Sequence, residues 1–223
     1  EPDECLNVGE QRQLAYIRKI LGECFPLSGV PDYEPPAERS LASLAEERAV
    51  ELEEVAYDEL LGDDALLFYP LYNYAERDHR ALYDQLLDPD AVVGLNDGGA
   101  HCAYICDASI PTYMLTHWAR DRSRGPRLAL AESVRRLTSQ PAELYGLSDR
   151  GRIASGLRAD LNVIDLDRLC LSAPRAVSDL PAGGTRLLQS AVGYDATIVA
   201  GTVTRRLGVD TGARPGRLLR NHS

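Results

Sequence analysis

The sequence predicts an α/β fold with a small β unit at its C-terminal end, and three observations carry that prediction. Ala65-Leu66-Leu67-Phe68-Tyr69 is a short, continuous apolar run of the kind that buried parallel strands show. An amphipathic stretch follows at residues 76–87 and a second apolar run, Ala91-Val92-Val93-Gly94-Leu95, comes directly after it, so the order is strand, helix, strand. Beyond Leu147 the chain changes to turn-rich sequence that separates short β-prone runs.

The elements follow in order. Leu14, Ile17, Ile20 and Leu21 recur at helical spacing and predict a short helix over residues 11–21, ended near Gly22. Phe25 to Pro36 holds four prolines, Gly29 and Ser28, too many breakers for a regular element, and reads as a loop, a covering insertion near residues 25–40. From Leu41 to Leu61 the apolar residues Leu44, Ala45, Ala49, Leu52, Val55, Ala56 and Leu60 predict helix, broken near residue 50. Ala81, Leu82, Leu86 and Leu87 share one face of the 76–87 helix, which Asp88-Pro89-Asp90 stops.

Ile110 to Arg120 reads as helix with Pro111 in its first turn, where the missing N–H costs nothing. Leu128 to Leu137 reads as another, with Leu130, Val134 and Leu137 aligned, and a short helical piece at Ala142–Tyr145 ends on Gly146. Residues 161–164 form a strand, and 196–199 with 202–204 flank Gly201 as a hairpin. These patterns place a boundary near residue 147, dividing the chain into 1–147 and 148–223.

Composition narrows the function. With 223 residues, 44% of them hydrophobic, the chain can bury a sizeable core, which excludes disorder throughout. No run approaches the roughly 20 apolar residues of a membrane helix, and the start lacks the basic and apolar regions of a secretory signal, so the default location is cytoplasmic. A start at Glu1 rather than Met suggests a longer reading frame. The net charge of -10 disfavours nucleic acid, whose phosphates need a concentrated positive field. Arg120, Arg122, Arg124 and Arg127 are interleaved with turn-forming residues and read as a solvated loop.

The five cysteines, at 5, 24, 102, 106 and 170, are scattered and read as reduced thiols. His101, Cys102 and Cys106 lie close in sequence, but nothing nearby completes a tetrahedral metal site. His79, on a charged helix, and His222, in the tail, read as surface residues. His117 beside Trp118 reads as a packed core histidine.

The segment richest in chemistry is Gly94-Leu95-Asn96-Asp97-Gly98-Gly99-Ala100-His101. An apolar strand ends in a carboxylate, two glycines let the backbone turn sharply, and an imidazole follows. In a parallel barrel the C-terminal strand ends form the active-site face, which makes Asp97 the candidate catalytic group. A plain Asp-Gly-Gly tight turn is the other reading, and spacing alone leaves both open.

This segment, extended to Cys102, resembles the Gly-Leu-Ser-Asp-Gly-Gly-Ala-His segment of the amidohydrolase superfamily branch that includes D-aminoacylase and the N-acyl-D-amino-acid deacylases. Tyr33-Glu34-Pro35, Asn73-Tyr74, Pro111-Thr112-Tyr113, Leu115 to Asp121, Leu144-Tyr145-Gly146-Leu147, Asp149-Arg150-Gly151, Gly156 to Asp165, Val199 to Val203 and Thr211 to Arg217 agree with it in order. Asn96 stands where that branch usually has serine.

The resemblance implies the C-terminal portion of a metal-dependent hydrolase (β/α)8 barrel, followed by strands of a small β-sandwich. It implies hydrolysis of the amide bond of small N-acyl-D-amino acids, with Asp97 as proton carrier and metal neighbour. It places His101, Asn73 and Tyr74 against the substrate, although a loop-bonded His101, Tyr72 in their stead, and a purely structural role for Asn73 and Tyr74 stand beside those roles. One or two zinc ions would be held mainly by residues outside this chain, because no His-x-His pair occurs and the four histidines and lone Lys19 do not reproduce the superfamily order. The expectation is a fragment inactive without an N-terminal half that supplies those ligands. A pseudoenzyme, a binding or scaffold protein of the same fold, or another cyclic-amide amidohydrolase are the alternatives.

Overall fold

The computed structural model describes residues 8–27, 29–62, 65–70, 74, 76–94 and 98–219. The chain forms two compact units. The first comprises residues up to Gln85 together with Ala173–Leu188, and the second Leu86–Ser172 together with the chain from Gln189 onward. Among the described residues no helix is long and apolar enough to cross a membrane.

The first unit opens with helix α1 (Val8–Leu21), strand β1 (Phe25–Leu27), helices α2 (Leu41–Arg48) and α3 (Leu52–Glu59), strand β2 (Leu66–Phe68) and the start of α4 (Arg80–Leu87). Its core gathers Cys24, Leu41, Val55 and Ala56, with Leu21, Leu44, Leu52 and Leu67 packed around them. The Ser40 hydroxyl accepts the Ser43 N–H and caps α2, a contact of a kind that contributes about 1 kcal/mol. Burial pushes the Cys24 thiol up to about 11, so it packs as a small apolar group.

The helix break expected near residue 50 falls at Ala49, which takes the left-handed conformation (φ 55, ψ 44). The Val50 N–H reaches back to the Ala45 carbonyl at 3.2 Å, closing a Schellman turn without a glycine. Val50 and Ala45 both pack on the core, which offsets the strain.

Phe25–Leu27 is a strand, not the loop that its prolines predict. It pairs antiparallel with β2, Pro26 opposite Leu67. Proline is tolerated in a two-stranded ribbon, and the alternation buries Phe25 and Leu27 on one face. Far along the chain, β5 (Arg175–Val177) and β6 (Arg186–Leu188) add an antiparallel hairpin to this unit, its connecting loop tied by an Asp179–Arg186 ion pair at 2.7 Å.

In the second unit, helix α5 (Ile110–Tyr113) continues into a π-helical segment, Met114–Asp121. Helices α6 (Leu130–Leu137) and α7 (Ser139–Leu144) follow, the latter ending before Gly146 at φ 67. A four-stranded antiparallel sheet has the order β10 (Val209–Asp210), β9 (Thr202–Arg206), β8 (Tyr194–Val199), β3 (Leu161–Ile164). The β8–β9 turn puts both central residues, Ala200 (φ 49) and Gly201 (φ 78), at positive φ, the type I′ geometry that the strand twist favours. A smaller ladder joins β4 (Cys170–Leu171) to β7 (Ala191–Val192).

Three expectations are corrected in this unit. Residues 91–94 are not a strand: the Ala91 carbonyl is taken by side chains, Arg136 at 3.1 Å and Gln140 at 3.0 Å, instead of by a neighbouring strand. Helix α6 does not bury the Leu130–Val134 face. Both leucine and valine are exposed, and Ser133 and Arg136 are buried. The arginine cluster is not simply solvated either. Arg122 is buried with its guanidinium 4.8 Å over the Trp118 ring while donating to the Pro126 carbonyl at 2.8 Å, and Arg120 donates to the Leu166 and Leu169 carbonyls.

Candidate functional site

In the first unit, a buried acid sits against a buried histidine. The Asp32 carboxylate accepts the Glu34 N–H at 3.0 Å, a tight local turn that directs Glu34 inward. Glu34 is 1% exposed and His79, which follows 45 residues later, is 7% exposed. Glu34 Oε1 accepts the His79 backbone N–H at 2.8 Å, and its Oε2 lies 3.9 Å from the imidazole Nδ1.

Tyr74 closes one side of this pair. Its ring meets His79 edge-on at 5.1 Å, and its hydroxyl donates to the Pro35 carbonyl. Phe25 packs edge-on against Tyr74 in turn, with the Arg77 guanidinium 5.9 Å from its ring centre. A carboxylate this deep is costly unless charge-paired and hydrogen-bonded, so the cluster can hold a proton or donate to a cation. His79 is therefore not the surface residue its charged helix suggests. That reading fails because Glu34, the partner that draws it inward, is remote in sequence.

In the second unit, Gly98 to Tyr104 form a run of turns. Gly99 sits at φ 99 and His101 at φ 43, with the His101 carbonyl accepting the Tyr104 N–H at 2.7 Å and the Ile105 N–H at 3.0 Å. A histidine in the left-handed region is uncommon, and this one presents an exposed side chain from a hydrogen-bonded turn. The donor atoms of His101, Cys102 and Cys106 do not converge as a metal set, and burial raises the Cys106 thiol pKa. Helix-borne His117, half-buried, stacks on Tyr113 at 4.5 Å and meets Trp118 edge-on.

The stretch that leads into Gly94 is held from helix α6. Arg136, 2% exposed, donates to the Ala91 carbonyl at 3.1 Å, to the Asp88 carbonyl at 3.3 Å and to Glu132 at 2.7 Å. Glu132 also accepts two bonds of 2.8 Å from Arg135. Those Arg135 bonds, with the further one from Arg136, hold the Glu132 carboxyl down at about 2 against the opposing effect of its desolvation. Because the folded pKa lies below the unfolded one, this carboxylate contributes stability that is complete above the usual glutamate range and is lost as pH falls from about 4.5 to about 2. Thermal melts should show Glu132→Gln losing stability relative to wild type at pH 6, with the gap closing by pH 2. A gap that is constant with pH would contradict the assignment.

Comparison with known proteins adds the family. A sequence profile of the amidohydrolase family matches residues 72–205, more than half of the chain. The chain belongs to the amidohydrolase family. N-acyl-D-glutamate deacylase of Alcaligenes xylosoxydans xylosoxydans is 39% identical over 93 residues, a stretch that is 42% of this chain and 17% of that protein. No solved structure matches the chain.

The amidohydrolase match covers all four residues that the sequence singles out. Asp97 and Asn73 lie outside the described residues. Tyr74 belongs to the first unit, buried with its hydroxyl engaged, and His101 to the second, exposed on its turn. Glu34, His79 and Arg136 were missed as site candidates. The available signal was Tyr33-Glu34-Pro35, a carboxylate framed by an aromatic ring and two prolines, where a solvated acid has no need of such neighbours. Toward the metal that the resemblance implies, Glu34 and His79 offer one carboxylate oxygen and one imidazole nitrogen. Both are chemically suited to zinc, and together they make two of the three or four protein donors that such a site uses.

Proposed function

We propose that the protein containing this chain hydrolyses the amide bond of N-acyl-D-amino acids, releasing the D-amino acid and a carboxylate. The observation that carries the reading is the 39% identity with N-acyl-D-glutamate deacylase. The Asn96-Asp97-Gly98-Gly99-Ala100-His101 segment supports it, as a carboxylate followed by a glycine turn and an exposed imidazole.

In this reading residues 1–147 are the C-terminal part of a (β/α)8 catalytic barrel, with a covering insertion near 25–40, and 148–223 are strands of a small β-sandwich. The enzyme is cytoplasmic. Zinc, when bound, supplies Lewis acidity, and most of its ligands come from polypeptide outside this chain. Asp97, which would neighbour that metal, takes a proton from the attacking water and returns it to the departing amine nitrogen, so that neither amide anion nor free hydroxide has to form. His101 donates to the polar end of the substrate and Asn73 hydrogen-bonds its acyl amide. Tyr74, the neighbour of Asn73 in sequence, is the remaining candidate substrate-binding residue of this reading.

Amine release from N-acetyl-D-glutamate, N-acetyl-L-glutamate and neutral N-acetyl-D-amino acids tests the reading on the zinc-loaded full-length protein and on residues 1–223 alone. The full-length protein should hydrolyse the D-substrates and the isolated chain none. A full-length protein inert toward the D-substrates would end the proposal.

A further inference from the structure

We infer that the cavity between α7 and the segment after it, residues 146–152, binds a small neutral α-amino acid, with the carboxylate on Arg152 and the ammonium on Glu143. Such binding is independent of the proposed hydrolysis.

The segment is fixed against the helix by its backbone. The Leu147 N–H reaches back to the Ala142 carbonyl at 2.8 Å, and the Asp149 carbonyl accepts the Arg158 N–H at 2.8 Å. Gly151, at φ 84, approaches α7 so closely that an added Cβ would stand 2.6 Å from the Ala142 Cβ and 3.1 Å from the Ser139 Cα. The cavity held open here has a volume of about 280 Å³, with Ser139, Glu143, Ser148 and Arg152 as polar lining residues and Ala142 and Leu147 as apolar ones. Walls that are already in place spare a ligand the cost of ordering them.

The charges on this lining are unequally committed. Arg150, which also lines the cavity, is spent on its neighbours: Asp149 accepts from its Nε at 2.8 Å and Asp160 from its Nη1 at 3.1 Å. Arg152 and Glu143 form no ion pair among the described residues, either with each other or with a third group, and the Ser139 and Ser148 hydroxyls have no hydrogen bond there. Arg135, the cation that the field of Glu143 reaches, is already held by Glu132 at 2.8 Å. One cation, one anion and two hydroxyls therefore remain for a ligand. A guanidinium takes a carboxylate through two parallel N–H donors, a carboxylate accepts from an ammonium, and a hydroxyl serves either. A free α-amino acid carries both charges on one carbon. Volume sets its size, because drug-sized ligands occupy pockets of about 300–1,000 Å³ and this cavity falls below that range. Charge sets its class: the second carboxylate of a glutamate would find no uncommitted cation and would meet Glu143. A methyl-sized side chain instead gains apolar contact with Ala142 and Leu147.

Amide hydrogen exchange of the full-length protein, followed as a function of ligand concentration, locates binding and measures its affinity together. The probes are glycine, L-alanine, L-glutamate, acetate and methylamine. Glycine and L-alanine should slow exchange in peptides covering residues 139–152, leave β8 and β9 unchanged, and saturate with a dissociation constant on the order of 1 mM, the modest affinity that solvent-facing charges allow. Acetate and methylamine, with one charge each, and L-glutamate should bind at least about tenfold more weakly. Arg152→Gln and Glu143→Gln alter exposed side chains that hold nothing else in place, so both variants should fold and each should weaken glycine and L-alanine by about tenfold or more. No protection of 139–152 by either amino acid, or protection that both variants retain at the parent's affinity, overturns the site. Acetate binding as tightly as glycine, with Glu143→Gln without effect, overturns the assignment to an amino acid.

Discussion

An Asp97→Asn protein is expected to bind N-acyl-D-amino acids and fail to turn them over. The substitution keeps the shape of the side chain and removes its ability to hold a proton, so the loss falls on kcat. General acid–base catalysis contributes about 100- to 10,000-fold, and kcat should drop within that range while the affinity for a non-hydrolysed analogue changes little. In the proposed mechanism both halves of the reaction need the group: the attacking water must lose a proton and the amine must gain one before it leaves. Steady-state kinetics on the zinc-loaded full-length protein, with a thermal melt to show the variant folded, measure this. A variant at full rate would assign Asp97 to an ordinary turn and remove the proton carrier from the proposed mechanism.

Much of the local structure was legible because local rules decide it. The break between α2 and α3 falls at Ala49, beside the residue 50 where it was expected, and the β8–β9 hairpin follows from a Gly at the turn between two β-prone runs. What escaped was decided at a distance. Residues 91–94 are as apolar as a buried strand, and periodicity cannot distinguish a strand from a run whose carbonyls are bound by side chains from residues 136 and 140. On α6, hydropathy selects Leu130 and Val134 for burial, yet the buried face is the one that brings Arg136 to those carbonyls. At the candidate site the same limit holds. His79 sits among charged neighbours, and only a glutamate 45 residues away makes it a buried residue.

Gly193→Ala should be the most destabilising single methyl addition in the second unit. Gly193 lies between β7 and β8 at φ 98, and an added Cβ would stand 2.6 Å from Leu169 Cα and 2.8 Å from its nitrogen. Those are backbone atoms of a residue that is 0% exposed, so nothing flexible is there to move aside. The contact is part of a chain of dependencies. The Gly193 carbonyl accepts the Asp165 N–H at 2.9 Å, and the Leu169 carbonyl accepts Arg120 from the π-helical segment at 2.8 Å. Pushing Leu169 away therefore strains the β4–β7 ladder and the arginine that ties the π-helical segment to it. A left-handed backbone costs a residue with a Cβ about 1–2 kcal/mol, and overpacking adds about 1–3 kcal/mol. At roughly 2–4 °C per kcal/mol for a chain of this size, the melting temperature should fall by about 4–20 °C. Gly201→Ala is the control: its φ is 78, but an added Cβ meets nothing within 4 Å, so only the backbone cost remains. Equal losses for the two variants would show that the close approach at Leu169 carries no weight, and that Gly193 is required for its backbone angle alone.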